Sequence, residues 1–374
     1  MKKPSNEGRA YSIRVTRKRT ARAVRSREGR RQRVFAAALA GAPKPFQQRV
    51  RFARRPLAPR LVAPPIFGVD DPQVRSKLTR FLRQLGSLAI DKKSNVNIDF
   101  RETQQMQAGG TLLLAAELER IRTLGPGRVE CIYPTNEIVA QVLEHVGIFD
   151  LLEHPRRPRV THPTVRYWKV NSGTSAEGER AANAIEDYAV RFSDPNKQAL
   201  YRALTEAMTN CRHHAYPDTE DDRRAGHWWT GPGAERARNW WMFSQLMNDQ
   251  LTVGLCDLGI GIPRSLRRDE AGLLRTILNV ITGRGLVPND VQLISAAMAI
   301  GESRTKEQHR GKGLLDMRKV LDGLDGVLHI HSGRGYYRYT ASRAGEKCTN
   351  FKKPMAIRGT LVLWQIPLAG AVSA

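Results

Sequence analysis

The stretch "VGLCDLGIGIP", residues 253–263, sets a single acid, Asp257, between an apolar run and the spaced glycines Gly259 and Gly261. The run that precedes the acid is typical of a buried strand, and this strand carries Asp257 at its end. An ionised carboxylate only accepts hydrogen bonds, so Asp257 suits an exocyclic amine, while capping of the next turn is the simpler alternative. The glycines permit positive φ or a close approach of the backbone to a flat ligand. Alone, this pattern leaves both interpretations open.

A helix is predicted upstream, over "ALTEAMTNCRHHA", residues 203–215. Glu206, Asn210 and His214 are four residues apart and form a polar stripe beside an apolar one. A carboxylate beside an amide at this spacing can hold a water and a hard cation. Mg²⁺ needs few protein oxygens where phosphates and waters supply the rest. An ordinary solvated helix face is the alternative.

A third element, "GESRTKEQHRGKGLLDMRKVL" at residues 301–321, contains Gly311 and Gly313 just before an amphipathic helix that starts with Leu314. A glycine-rich turn into a helix N-terminus favours anions, because free N–H groups and the helix dipole attract negative charge. Basic residues precede this turn and add to the attraction. A loop with a solvated basic surface explains the same residues.

Together and in this order, the three elements resemble the N box, the DxGxG motif and the glycine-rich G2 box of the GHKL ATPase superfamily. That superfamily contains gyrase-type, chaperone, histidine-kinase and mismatch-repair ATPases. The final "GTLVLWQIPL", residues 359–368, resembles the closing strand of the family, with Thr360 at the position that helps hold adenine. The resemblance covers residues 175–369. It implies a two-layer α/β sandwich of the Bergerat type over residues 165–374, with ATP and Mg²⁺ as cofactors.

The resemblance also implies a role for each matched residue. Asp257 would bind the adenine amine, with Gly259 and Gly261 shaping the floor of the pocket. Asn210 would hold Mg²⁺ against the phosphates, and Glu206 would be the general base where the γ-phosphate is hydrolysed or transferred. The lid over the phosphates would include three further residues, Gly311, Gly313 and Leu314.

The block at residues 70–158 alternates predicted strands and helices, which indicates an α/β fold with an open sheet. The segment from "NVNIDF" (95–100) to "VLEHVGIFDLL" (142–152) resembles the STAS domain of anti-sigma-factor antagonists and sulphate transporters. That family has an aspartate and a phosphorylatable serine at the turn into the helix. Here the turn is "MQAGGT", with Gln107 and Ala108 at those positions and Thr111 beyond them. The resemblance therefore implies a docking, dimerisation or scaffold module rather than a phosphorylation switch.

The positive charge of the chain is concentrated at its start. The whole chain carries a formal net charge of +25, and residues 1–60 contain 19 Lys and Arg against two acids, a net of +17. Residues 1–65 have little apolar periodicity, which predicts a disordered basic arm followed by a proline-rich linker. Such an arm can bind nucleic acid without sequence preference, because aromatic side chains for base stacking are scarce in it. A solvated tail without a partner is the alternative.

The four cysteines lie far apart in the sequence and show no zinc-ligand spacing, which favours a reduced, cytoplasmic protein. No apolar run approaches the roughly 20 residues of a bilayer span, so no membrane association is predicted.

Two functions remain from the sequence. The first is an ATP-binding regulatory protein that acts on a protein partner by Mg-ATP-dependent hydrolysis or phosphoryl transfer, as an ATPase or a serine/threonine kinase-like enzyme. The alternative is a non-catalytic nucleotide-sensing module whose basic arm binds nucleic acid. The phosphoacceptor, the partner and the oligomeric state stay open.

Overall fold

The computed structural model describes residues 58–374, except for 126, 156, 166–167, 177–178, 180–184, 187–191, 218, 221–232, 269–287, 304–312, 322–323, 342–345, 351–354 and 369–374. The N-terminal block of this part contains five short strands. They are β1 (Arg60–Val62), β2 (Ile66–Phe67), β3 (Val96–Asp99), β4 (Gln105–Met106) and β5 (Val129–Ile132). All their pairings are parallel, in a sheet of order β1-β3-β5 and in the separate pair β2-β4.

The helices of the N-terminal block begin at polar caps where the sequence supplies them. They are α1 (Pro72–Gly86, continued by a π-helical turn at Ser87–Asp91), α2 (Ala108–Leu124), α3 (Glu137–His145) and α4 (Ile148–Leu151). The Asp71 carboxylate accepts from the backbone N–H groups of Gln73 and Val74 and caps α1, and Asn136 caps α3 in the same way. The block therefore alternates strands and helices, as its sequence predicts.

The stretch at residues 60–67 differs from its sequence prediction of disordered arm and linker, since it contains the strands β1 and β2. Its prolines lack an N–H but still offer carbonyls: Pro59 accepts from the backbone of Asn97, and Pro64 accepts from the Thr103 hydroxyl. Strand β1 is at the edge of its sheet, where proline is tolerated. Arg60, moreover, pairs with the buried carboxylate of Asp99.

The C-terminal block is built on a seven-stranded antiparallel sheet. Its strands are β6 (Trp168–Gly173), β7 (Trp240–Met247), β8 (Gln250–Asp257), β9 (Val327–Ser332), β10 (Gly335–Thr340), β11 (Glu346–Asn350) and β12 (Thr360–Pro367), in the order β11-β10-β9-β12-β8-β7-β6. Its helices are α5 (Asp194–Asn210, continued by a π-helical turn at Cys211–Ala215), α6 (Ile262–Arg268), α7 (Asp290–Ser303) and α8 (Gly313–Lys319).

Both faces of this sheet are buried, and successive residues of each central strand alternate between two hydrophobic cores. The first core lies under helices α5, α7 and α8 and takes up Val253, Leu255, Val362, Trp364, Trp240 and Met242. The second lies against the N-terminal block and takes up Cys256, Leu361, Leu363, Trp241 and Phe243. The near-continuous apolar character of strands β7, β8 and β12 follows from this two-sided burial. The chain is thus a mixed α/β protein in which the two blocks share a core.

Candidate functional site

The candidate site is at one edge of the seven-stranded sheet, where several strands begin or end. Asp257 ends β8, Thr360 begins β12 and Ser332 ends β9. The antiparallel register places Thr360 opposite Ser332, and Leu361 opposite Cys256. Asp257, Thr360 and Ser332 fall on the face of the sheet that carries the helices, because side chains alternate along each strand. The structure therefore brings together two residues that are a hundred positions apart and were predicted to share a ligand, Asp257 and Thr360.

Asp257 is buried and accepts hydrogen bonds from its own surroundings. Its Oδ1 atom accepts from the Gly259 N–H at 2.8 Å, and the backbone of Thr360 also donates to the carboxylate. The Cys211 thiol lies 3.9 Å from Oδ2. Burial raises the pKa of Asp257 to about 7, although the hydrogen bonds from Gly259 and Thr360 oppose this shift. Burial therefore brings the titration of Asp257 much nearer to neutral pH than that of an exposed aspartate.

The glycines around Asp257 are required by contacts inside the protein. A Cβ atom on Gly259 would lie 2.0 Å from the carbonyl oxygen of Ala215, in the π-helical turn that ends α5. Gly261 has a φ of +77°, the left-handed region that glycine adopts without strain. The sequence predicted either positive φ or a close approach of the backbone to a ligand, and Gly261 has positive φ. The close approach at Gly259 is to the chain itself.

Three residues for which no role was predicted complete the frame of the site. The Ser332 hydroxyl donates to the Gly359 carbonyl at 3.1 Å, and it accepts from the Ile262 N–H at 3.0 Å. Gly359 has a φ of +68°, and a Cβ atom there would lie 2.0 Å from the carbonyl oxygen of Asp257. Tyr216 bridges two segments, because its hydroxyl donates to Asn239 and accepts from the Leu258 N–H. Gly359 lies directly before Thr360, the predicted adenine contact. Of these three residues, it is the one whose type and position in the sequence could have indicated a role in the site.

Helix α5 brings the predicted metal ligand and the predicted base to the same edge. Asn210 is half-buried in the last turn, directly before Cys211, whose thiol contacts Asp257. Glu206 is also half-buried, one turn earlier. Burial and the negative charge of Asp316 on α8 raise the pKa of Glu206. Glu206 therefore keeps proton affinity nearer neutral pH than an exposed glutamate does.

The predicted phosphate lid is only partly within the described residues. Gly313 begins α8, and the half-buried Leu314 packs against the core under the helices. Gly311 and the basic residues that precede it lie outside the described residues. Helix α8 packs against α5, the helix that carries Glu206 and Asn210.

The donors at this edge fit a cation that takes most of its ligands from a substrate. In the described part of the chain, no cluster of three or more His, Cys, Asp or Glu side chains is placed to hold a metal ion. Asn210 offers a single amide oxygen. That is enough for Mg²⁺ bound mainly by phosphates and water, but not for a cation held by protein ligands alone.

A small cavity of about 30 Å³ lies on the opposite face of the sheet, between the two blocks. Side chains of α1 and α2 line it together with Leu258, Ile357 and Arg358. This volume has room for only a few water molecules, so the cavity is too small for a nucleotide.

Comparisons with known proteins do not assign the chain to a class: no protein-family model matches it, and no curated protein matches it in sequence. None of the helices within the described ranges has the length and the apolar composition that a membrane span requires.

Proposed function

We propose that this chain is an ATP-binding regulatory protein, with a GHKL-type ATPase or kinase-like module at residues 165–374 fused to a STAS-like domain at residues 70–158. The seven-stranded sheet under helices α5, α7 and α8 would be the two-layer sandwich of the Bergerat type. The observation that carries the proposal is the buried acid at the sheet edge, Asp257, together with Thr360 and Ser332. Regulation would act on a protein partner in the cytoplasm.

The environment of Asp257 suits an amine-bearing flat ligand. A carboxylate has about four acceptor positions, and here two backbone N–H groups and one weak thiol donor approach it. Burial disfavours the ionised form, so a ligand that donates an N–H stabilises it. The adenine amine is such a donor. The hydroxyls of Ser332 and Thr360, 3.1 Å apart, lie beside it and offer further polar contacts.

The residues of α5 and α8 support phosphoryl chemistry at the same edge. Phosphoryl transfer depends mainly on positioning and on neutralising charge. When bound, Mg²⁺ would supply that charge neutralisation, and Asn210 would hold it. Glu206 would orient the attacking water or hydroxyl and accept its proton, a role that its raised pKa favours. Gly311, Gly313 and Leu314, with the basic residues before them, would close over the phosphates.

The charge of the N-terminal arm favours a second candidate function. A net charge of +17 over residues 1–60 neutralises several phosphates of a nucleic acid and releases their counterions. In this alternative, the site binds ATP without turnover as a sensing ligand, and the arm holds DNA or RNA.

Calorimetric titration of Mg-ATP and of ADP into wild type and Asp257→Asn tests the proposed site. Asn has the size of Asp but places an amide donor where the carboxylate accepts, so we expect the affinity to fall more than about tenfold. Asp249→Asn is the matched control. Asp249 lies in the turn before β8, at the opposite end of the strand, with a φ of +54° that Asn also adopts. Absence of nucleotide binding to wild type would overturn the proposal, and so would equal affinity in wild type and Asp257→Asn.

A further inference from the structure

The face of the sheet opposite the candidate site is covered at the same edge by the N-terminal block. Site residues and block-facing residues alternate along the strands: Cys256 precedes Asp257, Leu361 follows Thr360, and His331 precedes Ser332. Each strand that supplies a site residue therefore has the adjacent residue turned toward the block. A shift of the block would move these strand ends directly.

Glu119 of α2 holds the strand next to Asp257. Its Oε2 accepts from the Trp241 indole N–H at 2.7 Å, and its Oε1 lies 3.4 Å from the Asn239 side-chain amide. The carbonyl of Asn239 accepts from the Tyr216 hydroxyl, which in turn accepts from the Leu258 N–H at 3.0 Å. Glu119 is thus connected by hydrogen bonds to the residue after Asp257.

Arg75 of α1 holds the turn that follows Ser332. Its buried guanidinium donates through Nη2 to the Gly333 carbonyl at 2.6 Å and through Nη1 to the Gly335 carbonyl at 3.4 Å. The Gly333 carbonyl also accepts from the Ile357 N–H, at the start of the segment that leads to Gly359 and Thr360. Arg75 therefore holds the turn that follows Ser332. The segment that leads to Gly359 and Thr360 is hydrogen-bonded to the same turn.

The small-residue turn of the STAS-like segment makes this close contact feasible. A Cβ atom on Gly109 would lie 2.9 Å from a methyl group of Val69 and 3.0 Å from one of Leu361, so glycine leaves room for this close packing of α2. Thr111 is fully buried, and its hydroxyl donates to the Gln107 carbonyl at 2.8 Å. The turn that would carry a phosphoacceptor in the STAS family is a packing surface against the sheet in this protein.

From these contacts we infer that Arg75 and Glu119 are positioning residues for the nucleotide site, and that the N-terminal block is its back wall. This inference rests on the nucleotide site proposed above. The two side chains touch no predicted ligand contact. They hold, from the opposite face, the two stretches of backbone that flank Asp257 and Thr360.

Mg-ATP titration of Arg75→Ala and Glu119→Ala tests the inference, with Arg80→Ala as the matched control from the exposed face of α1. We expect the Kd to rise about fivefold or more in both variants, at the low end of typical coupling between sites, and to stay unchanged in Arg80→Ala. Glu119→Gln keeps an oxygen that accepts from Trp241, so it should restore the affinity to within about twofold. Wild-type affinity in folded Arg75→Ala and Glu119→Ala would overturn the inference.

Hydrogen exchange without nucleotide separates this inference from the proposed function. We expect faster exchange at residues 256–262 and 330–335 in Arg75→Ala and Glu119→Ala, and wild-type exchange there in Arg80→Ala. If wild type binds no ATP, the proposed function fails, and accelerated exchange would still support the mechanical coupling. Unchanged exchange at both segments would refute the coupling. Arg75→Lys keeps the positive charge, but its ammonium group donates to fewer of these carbonyls than the guanidinium does. This variant replaces Arg75→Ala in both measurements if the alanine variant does not fold.

Discussion

Replacing Asp257 by Asn should stabilise the nucleotide-free protein at alkaline pH while it removes nucleotide binding. The pKa of this carboxyl is about 7 in the fold, against an ordinary value of 3.8 for aspartate in water. The folded state therefore binds the proton more tightly than the unfolded chain does. The contribution of the neutral acid to stability is complete below the unfolded pKa of about 3.8 and is lost as the pH rises through about 7. Asn stays neutral at every pH and has no such loss.

The size of the effect follows from the two pKa values. One pKa unit corresponds to about 1.4 kcal/mol, so the full cost of ionising Asp257 in the fold is about 4 kcal/mol. Between pH 5 and pH 8 the free energy of unfolding of wild type falls by about 2.5 kcal/mol. The fall is smaller than the full cost because the interval covers only part of the range between the two pKa values. The advantage of Asp257→Asn over wild type should grow by that amount across the interval. For a unit of this size it corresponds to a Tm difference that widens by about 5 °C.

Thermal unfolding of both proteins at pH 5 and pH 8, without nucleotide, measures this difference. Asp249→Asn is the control for the change from carboxylate to amide, because Asp249 lies in an exposed turn at the opposite end of strand β8. Saturating Mg-ATP should raise the Tm of wild type more than that of Asp257→Asn, since a ligand stabilises the folded state in proportion to its affinity. A Tm difference between Asp257→Asn and wild type that is the same at both pH values would refute the buried, proton-binding acid.

Three further outcomes are expected. Glu206→Gln should keep the Mg-ATP affinity and lose turnover by at least about 100-fold in phosphate release or transfer; equal turnover would remove Glu206 as the base. Gly259→Ala should cost about 2–3 kcal/mol in denaturant unfolding, because its Cβ meets a backbone carbonyl. Gly147→Ala, with a φ of +76° and no atom within 4 Å of the added Cβ, should cost only about 1 kcal/mol, so equal losses would contradict the steric reason. Deletion of residues 1–57 should abolish retention on DNA or RNA at low salt, whereas unchanged retention would reject the arm as the binding element.

Strands with strong apolar character could be predicted from the sequence, because a run of apolar residues indicates a buried strand even when its tertiary contacts are unknown. The apolar run before Asp257 indicated a buried strand that delivers the acid at its end, and β8 ends at Asp257. The helix that carries Glu206 and Asn210 likewise followed from apolar residues at helical spacing, and α5 spans both. The convergence of Asp257 and Thr360 was predicted through family resemblance, not through any local pattern.

The parts that could not be predicted depend on contacts between distant segments. Residues 60–67 contain two prolines and a basic residue, and only the pairings of β1 with β3 and of β2 with β4 make strands there. Ser332 and Tyr216 act through single hydroxyls on segments more than a hundred residues apart, and a hydroxyl has no sequence signature. The contact of α2 with the seven-stranded sheet could not be predicted from the sequence either. Small residues such as Gly109 indicate a close approach without identifying the partner.

The second buried face of the sheet and the buried acid at its edge are energetically connected. Ionising Asp257 in the fold costs about 4 kcal/mol. The N-terminal block buries Trp241, Phe243, Leu361 and Leu363 on strands that border this acid, each of them at most 3% exposed. Each side chain of this size contributes about 1.5–3 kcal/mol when it is withdrawn from water. This stabilisation is present only while the block is seated on the sheet. The same contacts that stabilise the fold therefore keep the strand ends in place around a carboxyl that would otherwise favour opening to water.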